Sequence, residues 1–145
     1  MADKPVVLFL GTENSARRQM AEAFLRKYGG DRFEVSSAGY EPTEINPLTR
    51  RVMAEAGLDL AGQRAKSVAE CLGKLPGRYL ITLCDRAERN CPTAFPQVFP
   101  RLFWAFPDPV AASGTGTERL TVFRRVRDQI EARIVAWLRE TTPLT

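Results

Sequence analysis

Apolar residues fill every position of PVVLFL, residues 5–10, with no polar alternation. A short, unbroken, β-branched run of this kind is what a strand covered on both faces of a parallel sheet requires. From Ser15 to Tyr28 the period becomes helical. Met20, Ala21, Phe24, Leu25 and Tyr28 fall on one face, and Gly29-Gly30 supplies a stop. FEVSSAG, residues 33–39, reads as a second strand running into a turn. Asn46 followed by Pro47 is a helix start, with Leu48, Val52, Met53 and Ala56 facing inward and Gly57 closing the helix. RYLITLC, residues 78–84, predicts a third strand and RLFWAF, residues 101–106, a short fourth. The last helix runs from near Thr117 to about Arg139. Phe123, Val126, Ile130, Ile134, Trp137 and Leu138 keep its period, and Arg124, Arg125, Asp128 and Glu131 cover its other side.

The order is therefore β-α-β-α-(α)-β-β-α, the bracketed helix being short and carrying Cys71. Strands alternating with helices imply an α/β fold of three layers, a four-stranded parallel sheet with helices on both faces. No internal repeat or low-complexity tract divides the chain, so residues 1–145 read as one domain. The segment 91–117 holds five prolines and two glycines but also five aromatics, and it reads as an irregular excursion within the domain rather than a linker. Ligands of such sheets sit beyond the carboxyl ends of the strands. The loop at residues 11–17, and the strand ends near Cys84 and Asp108, are in that place.

Composition narrows the function classes. A chain of 145 residues with 44% apolar and 26% charged residues is ordinary for a globular domain with a real core. A net charge of +4 suits an anionic ligand but is too mild and too dispersed to argue for nucleic acid. No segment approaches the length of a membrane span and none resembles a signal peptide, so a cytoplasmic protein with no membrane partner is expected. Three cysteines fit a reducing compartment, and the odd count opposes a fully paired disulfide framework. The absence of histidine removes Ser-His and Cys-His catalysis and every His-ligated metal site; no metal and no cofactor are expected.

The chemistry concentrates in GTENSARR, residues 11–18. Successive backbone N–H groups running into a helix N-terminus make a cradle for a phosphate-like anion, here Gly11, Thr12, Glu13, Asn14, Ser15 and Ala16. Arg17 adds a fixed charge and a bidentate fork suited to tetrahedral oxyanions. Asn14 and Ser15 can brace the loop through side-chain to backbone hydrogen bonds. The alternative is a plain strand-to-helix connection capped by Ser15 or Asn14. Arg18 adds a second cation at the positive end of the helix dipole, a clash of about 0.3–1 kcal/mol that an anion or the Glu13 carboxylate offsets, unless Arg18 simply points into water. Cys84, at the end of an apolar strand, suits a small buried hydrophobe. Asp108 precedes a proline, which pushes its backbone extended; a turn aspartate is the plain reading.

Taken together, these segments resemble the low-molecular-weight protein tyrosine phosphatase superfamily, and specifically its thioredoxin-coupled arsenate reductases. NSARRQMAEAFLR is similar to the second half of the family's Cys-x5-Arg loop and its first helix. VSSAG followed by INPLTRRVMAEAGLDL resembles its second strand and helix. LITLCDRAERNCP resembles its redox-cysteine segment, WAFPDP its general-acid loop, and FRRVRDQIEARIVAWL its terminal helix. The resemblance spans nearly the whole chain and implies the phosphotyrosine protein phosphatase I-like fold. It implies that Arg17 stabilises oxyanion charge, that Asp108 is the general acid, and that Cys84 and Cys91 form the relay disulfide reduced by thioredoxin. The family's nucleophilic cysteine falls on Gly11. Glu13 stands where the family usually has glycine, and a left-handed backbone there would cost about 1–2 kcal/mol. Arg18 stands where it usually has the thiolate-supporting serine.

The expectation that follows is an arsenate reductase-like or phosphatase-like protein without its nucleophile. It binds a small inorganic anion (phosphate, arsenate, sulfate or a halide) in the loop at residues 11–18 without normal turnover. Two alternatives stay open: a residual thioredoxin-linked redox or phosphatase enzyme using Cys84 and Cys91, and a regulatory interaction module in which the loop is merely structural.

Overall fold

The computed structural model describes residues 5–13, 16–41, 44–63, 77–84 and 101–141. Four strands form one sheet: β1 (Val6–Glu13), β2 (Glu34–Glu41), β3 (Gly77–Cys84) and β4 (Arg101–Ala105). Their order across the sheet is β2-β1-β3-β4 and every pairing is parallel. Three helices are described: α1 (Arg17–Gly29), α2 (Pro47–Glu55) and α3 (Gly116–Glu140). The doubly covered α/β sheet expected from the alternating periods is the one observed.

The strand residues explain the layering. Val7, Phe9, Ile81, Leu83 and Trp104 join one core with α1, α2 and α3. The alternate positions Leu8, Leu10, Ala38 and Leu80 are buried together in a second cluster. A strand buried at consecutive residues has cover on both faces, which is why PVVLFL carries no polar alternation. On the first face the aromatics interlock: Trp137 lies 5.1 Å from Tyr79, 5.3 Å from Phe33 and 6.1 Å from Trp104, centroid to centroid. These tilted and edge-on contacts fasten α3 across the sheet.

The helix ends follow local chemistry. Asn46 caps α2 by accepting from the Leu48 N–H at 2.9 Å, with Pro47 at the first position, and Gly57 leaves the helix at φ 82°. At α3, Thr115 and Glu118 form a reciprocal capping box, a Thr-x-x-Glu signal that places the start at Gly116. Arg32 donates to the Leu138 and Thr141 carbonyls and so closes the far end of α3.

Three expectations about elements need correction. β1 does not stop at residue 10. Gly11 pairs with Gly39 and Glu13 with Glu41, so the first three residues of the expected loop are extended strand held by β2. Tyr28 is not on the buried face of α1. It is 41% exposed, its ring stacks on Phe24, and its hydroxyl donates to Glu131 at 2.6 Å. Ala56 is only partly buried, and Thr49 is fully buried where no inward position was expected, while Leu48 packs against the core as expected. The short helix expected around Cys71 lies outside the described residues.

Candidate functional site

In a sheet ordered β2-β1-β3-β4 the chain leaves β1 toward one side and β3 toward the other. The crevice between those two carboxyl ends is where such folds hold ligands. Gly11, Thr12 and Glu13 end β1 at this crevice. β3 pairs with β1 through Leu10 and Thr82, so by continuing that register Cys84 reaches the level of Thr12. β4 ends at Ala105, paired with Cys84, which delivers Phe106 and Asp108 to the same edge. Parallel pairing thus brings three separate stretches of sequence to one rim.

α1 supplies the positive charge. Its N-cap is Ala16, without a side-chain cap bond. Arg17 is 4% exposed and Arg18 2% exposed, within a first turn that contains no acidic residue. Arg18 therefore does not point into water. Two buried guanidiniums at the positive end of a helix dipole make this turn strongly attractive to an anion.

Arg17 reaches across the sheet edge. Its Nη1 donates to the Phe106 carbonyl at 3.0 Å, over 89 residues of sequence, and its Nη2 lies 4.0 Å from Asp108 Oδ2. Asp108 has the extended backbone that its proline dictates, φ −82° and ψ 109°. Its Oδ1 accepts from the Val110 N–H at 3.0 Å and caps the short 3-10 turn Pro109–Ala111. Asp108 is thus the turn aspartate of the plain reading, and it also stands beside the arginine.

The expected strain at Glu13 does not arise. Among the described residues only Gly57 and Gly114 have positive φ, and Glu13 is an ordinary extended strand residue. Asn14, Ser15, Cys71 and Cys91 lie outside the described residues, and with them the proposed Cys84–Cys91 disulfide.

A polar stripe on α1 went unread in the sequence. Gln19 and Glu22 are buried and Arg26 follows one turn on. Ser37 of β2 donates to Glu22 Oε1 at 2.5 Å, and Arg26 donates to Glu22 Oε2 at 2.7 Å and to the Val35 carbonyl at 3.0 Å. Gln63 donates to Gln19 Oε1 at 2.7 Å. The i, i+3, i+7 spacing of Gln19, Glu22 and Arg26 was the available signal. The stripe locks α1 in rotation against β2, which fixes where Arg17 points. No group of three or more acidic or cysteine side chains suited to a metal occurs among the described residues. The groove at the end of α2, lined by Arg50, Ala54, Gly57, Leu58, Asp59 and Leu60, contains none of these residues.

Comparison with known proteins gives the family. Residues 6–143 match the model of the low molecular weight phosphotyrosine protein phosphatase. The chain belongs to that family. The arsenate reductase of Halalkalibacterium halodurans is 44% identical over 133 residues, covering 91% of this chain and 94% of that one. Among solved structures, an arsenate reductase in the phosphate binding state superposes with a TM-score of 0.76 at 28% identity, covering 94% of this chain and 98% of the other. A thioredoxin-dependent arsenate reductase of Corynebacterium glutamicum superposes with a TM-score of 0.71 at 25% identity, covering 96% of this chain and 62% of the other. Family membership and the four-stranded parallel sheet agree with the resemblance carried by the sequence segments. Among the described residues no helix is long and apolar enough to cross a membrane.

Proposed function

We propose that this member of the family binds an oxyanion such as phosphate or arsenate at residues 11–18 and does not turn it over by the usual route. The observation that carries the reading is Arg17. It is a buried guanidinium at the start of α1, aimed at the sheet edge where β1, β3 and β4 end, in a chain that places Gly11 where the family resemblance puts the nucleophile. A covalent sulfur–arsenic or sulfur–phosphorus adduct requires a thiolate at that point, and glycine has no side chain to supply one. What remains is charge and hydrogen-bond donation without a nucleophile. The phosphate-bound state of a structural relative supports the choice of ligand class.

A thioredoxin-coupled arsenate assay, run beside an aryl-phosphate assay on the unmodified protein, tests this. The expected result is no arsenite and no phosphate release above a protein-free control. Turnover that disappears in Cys84→Ser would replace the proposal with the second reading, a redox enzyme with a relocated sulfur. That reading is favoured by one observation, the end of β3 at Cys84 on the same rim as Gly11. Its partner would be thioredoxin, in keeping with the thioredoxin-dependent relative.

A further inference from the structure

We infer that Asp108 and the Phe106 carbonyl select hydrogen-bearing oxyanions, hydrogen arsenate and hydrogen phosphate, against sulfate. The inference rests on the anion-binding reading above and names which anions that site takes.

Arg17 faces acceptors on one side. Its Nη1 faces the Phe106 carbonyl oxygen at 3.0 Å and its Nη2 faces Asp108 Oδ2 at 4.0 Å. A carbonyl oxygen only accepts hydrogen bonds, and so does a carboxylate. The arginine therefore carries an acceptor rim on the side where β4 ends. Asp108 cannot readily swing away, because its Oδ1 holds the Val110 N–H at 3.0 Å and caps the turn that follows. It is also 31% exposed, against 4% for Arg17, so solvent reaches the carboxylate where it does not reach the guanidinium.

An oxyanion that reaches Arg17 must then place one oxygen near the Asp108 carboxylate. If that oxygen carries a proton, it donates to Asp108 and the contact is a charge-assisted hydrogen bond. If it carries none, two acceptors face each other, and both lose water without gaining a partner. At neutral pH hydrogen arsenate and hydrogen phosphate each keep one O–H, and sulfate keeps none. The three ions are otherwise close in shape. Discrimination thus comes from a repulsive element set against the wrong ligand. A site built around a ligand hydroxyl in this way rejects the analogue that lacks it.

Isothermal titration at constant neutral pH with arsenate and with sulfate tests the inference on the wild-type chain and on Asp108→Asn. The asparagine carbonyl keeps the cap on Val110, and its amide brings a donor where the carboxylate had none. Wild type is expected to bind arsenate at least about tenfold tighter than sulfate, ~1.4 kcal/mol. In Asp108→Asn the sulfate affinity is expected to rise about tenfold while arsenate changes far less, so the preference collapses. Asp108→Ser, which also caps and also donates, should do the same. Asp31→Asn removes the same charge at the opposite end of α1 and should leave the preference intact. Equal preference in wild type and both Asp108 variants overturns the inference, as does a parallel rise for both anions. Binding of neither anion to any of these proteins overturns the anion-binding reading itself, a result distinct from bound anions that are not discriminated.

Discussion

Arg18 departs furthest from what its position suggests. An arginine at the first turn of a helix ordinarily leans into solvent, yet this one is 2% exposed and among the largest fully buried side chains. Its long side chain fills buried space that a shorter residue would leave empty. Arg18→Ser is therefore expected to lower the unfolding free energy by about 1–3 kcal/mol, read as a fall in the urea midpoint. A surface arginine would shift it by less than about 0.5 kcal/mol. An unchanged midpoint would contradict the burial. The same residue bears on any attempt to rebuild the family's loop by combining Gly11→Cys, Glu13→Gly and Arg18→Ser, because the third change removes a buried side chain. Arg17 was singled out in the sequence from its place after the loop, and it is buried at the head of α1. Its bond to the Phe106 carbonyl was not legible there, since no local pattern relates residues 89 apart. Ser37, Glu22 and Gln19 were passed over for a similar reason: a buried polar side chain on a helix is recognised only once its partner on another element is known.

Helices and strands were mostly legible, because their signals are local. Asn46-Pro47 specifies the start of α2, and the period of Phe123, Val126, Ile130 and Ile134 specifies α3. The carboxyl end of β1 was misjudged because Gly11–Glu13 become strand only by pairing with Gly39–Glu41, which is a property of two segments together. Between α2 and α3 the fastening is electrostatic. Glu55 receives two bonds from Arg124, at 2.7 and 2.9 Å, and one from Arg127 at 3.1 Å. Hydrogen bonding from Arg124, more than its charge alone, draws the Glu55 carboxyl from its ordinary 4.5 down to about 2. A carboxyl whose folded pKa is depressed stabilises the fold above its unfolded pKa and loses that contribution as pH falls toward the folded one. Wild type should therefore exceed Glu55→Gln in urea midpoint near neutrality, and the gap should close between about pH 4.5 and 2. A gap that persists at the acid end would show that Glu55 acts through packing instead of charge.

At the scale of the whole molecule, the parallel order β2-β1-β3-β4 gathers Gly11, Cys84 and Asp108 at one edge and sets the N-terminus of α1 against it. The stripe Gln19, Glu22 and Arg26 holds α1 in rotation, the aromatic group around Trp137 holds α3, and Arg17 ties α1 to the end of β4. These fastenings keep the positive turn of α1 in register with the strand ends whether or not residue 11 carries a sulfur. On the proposed reading the family scaffold is separable from the family nucleophile, and binding outlasts turnover. Isothermal titration of arsenate into the unmodified protein and into Arg17→Ala measures this most directly. Saturable binding at one site per chain, lost in Arg17→Ala, is the expected result. Heats of dilution alone in the unmodified protein, or equal binding in both proteins, would contradict it.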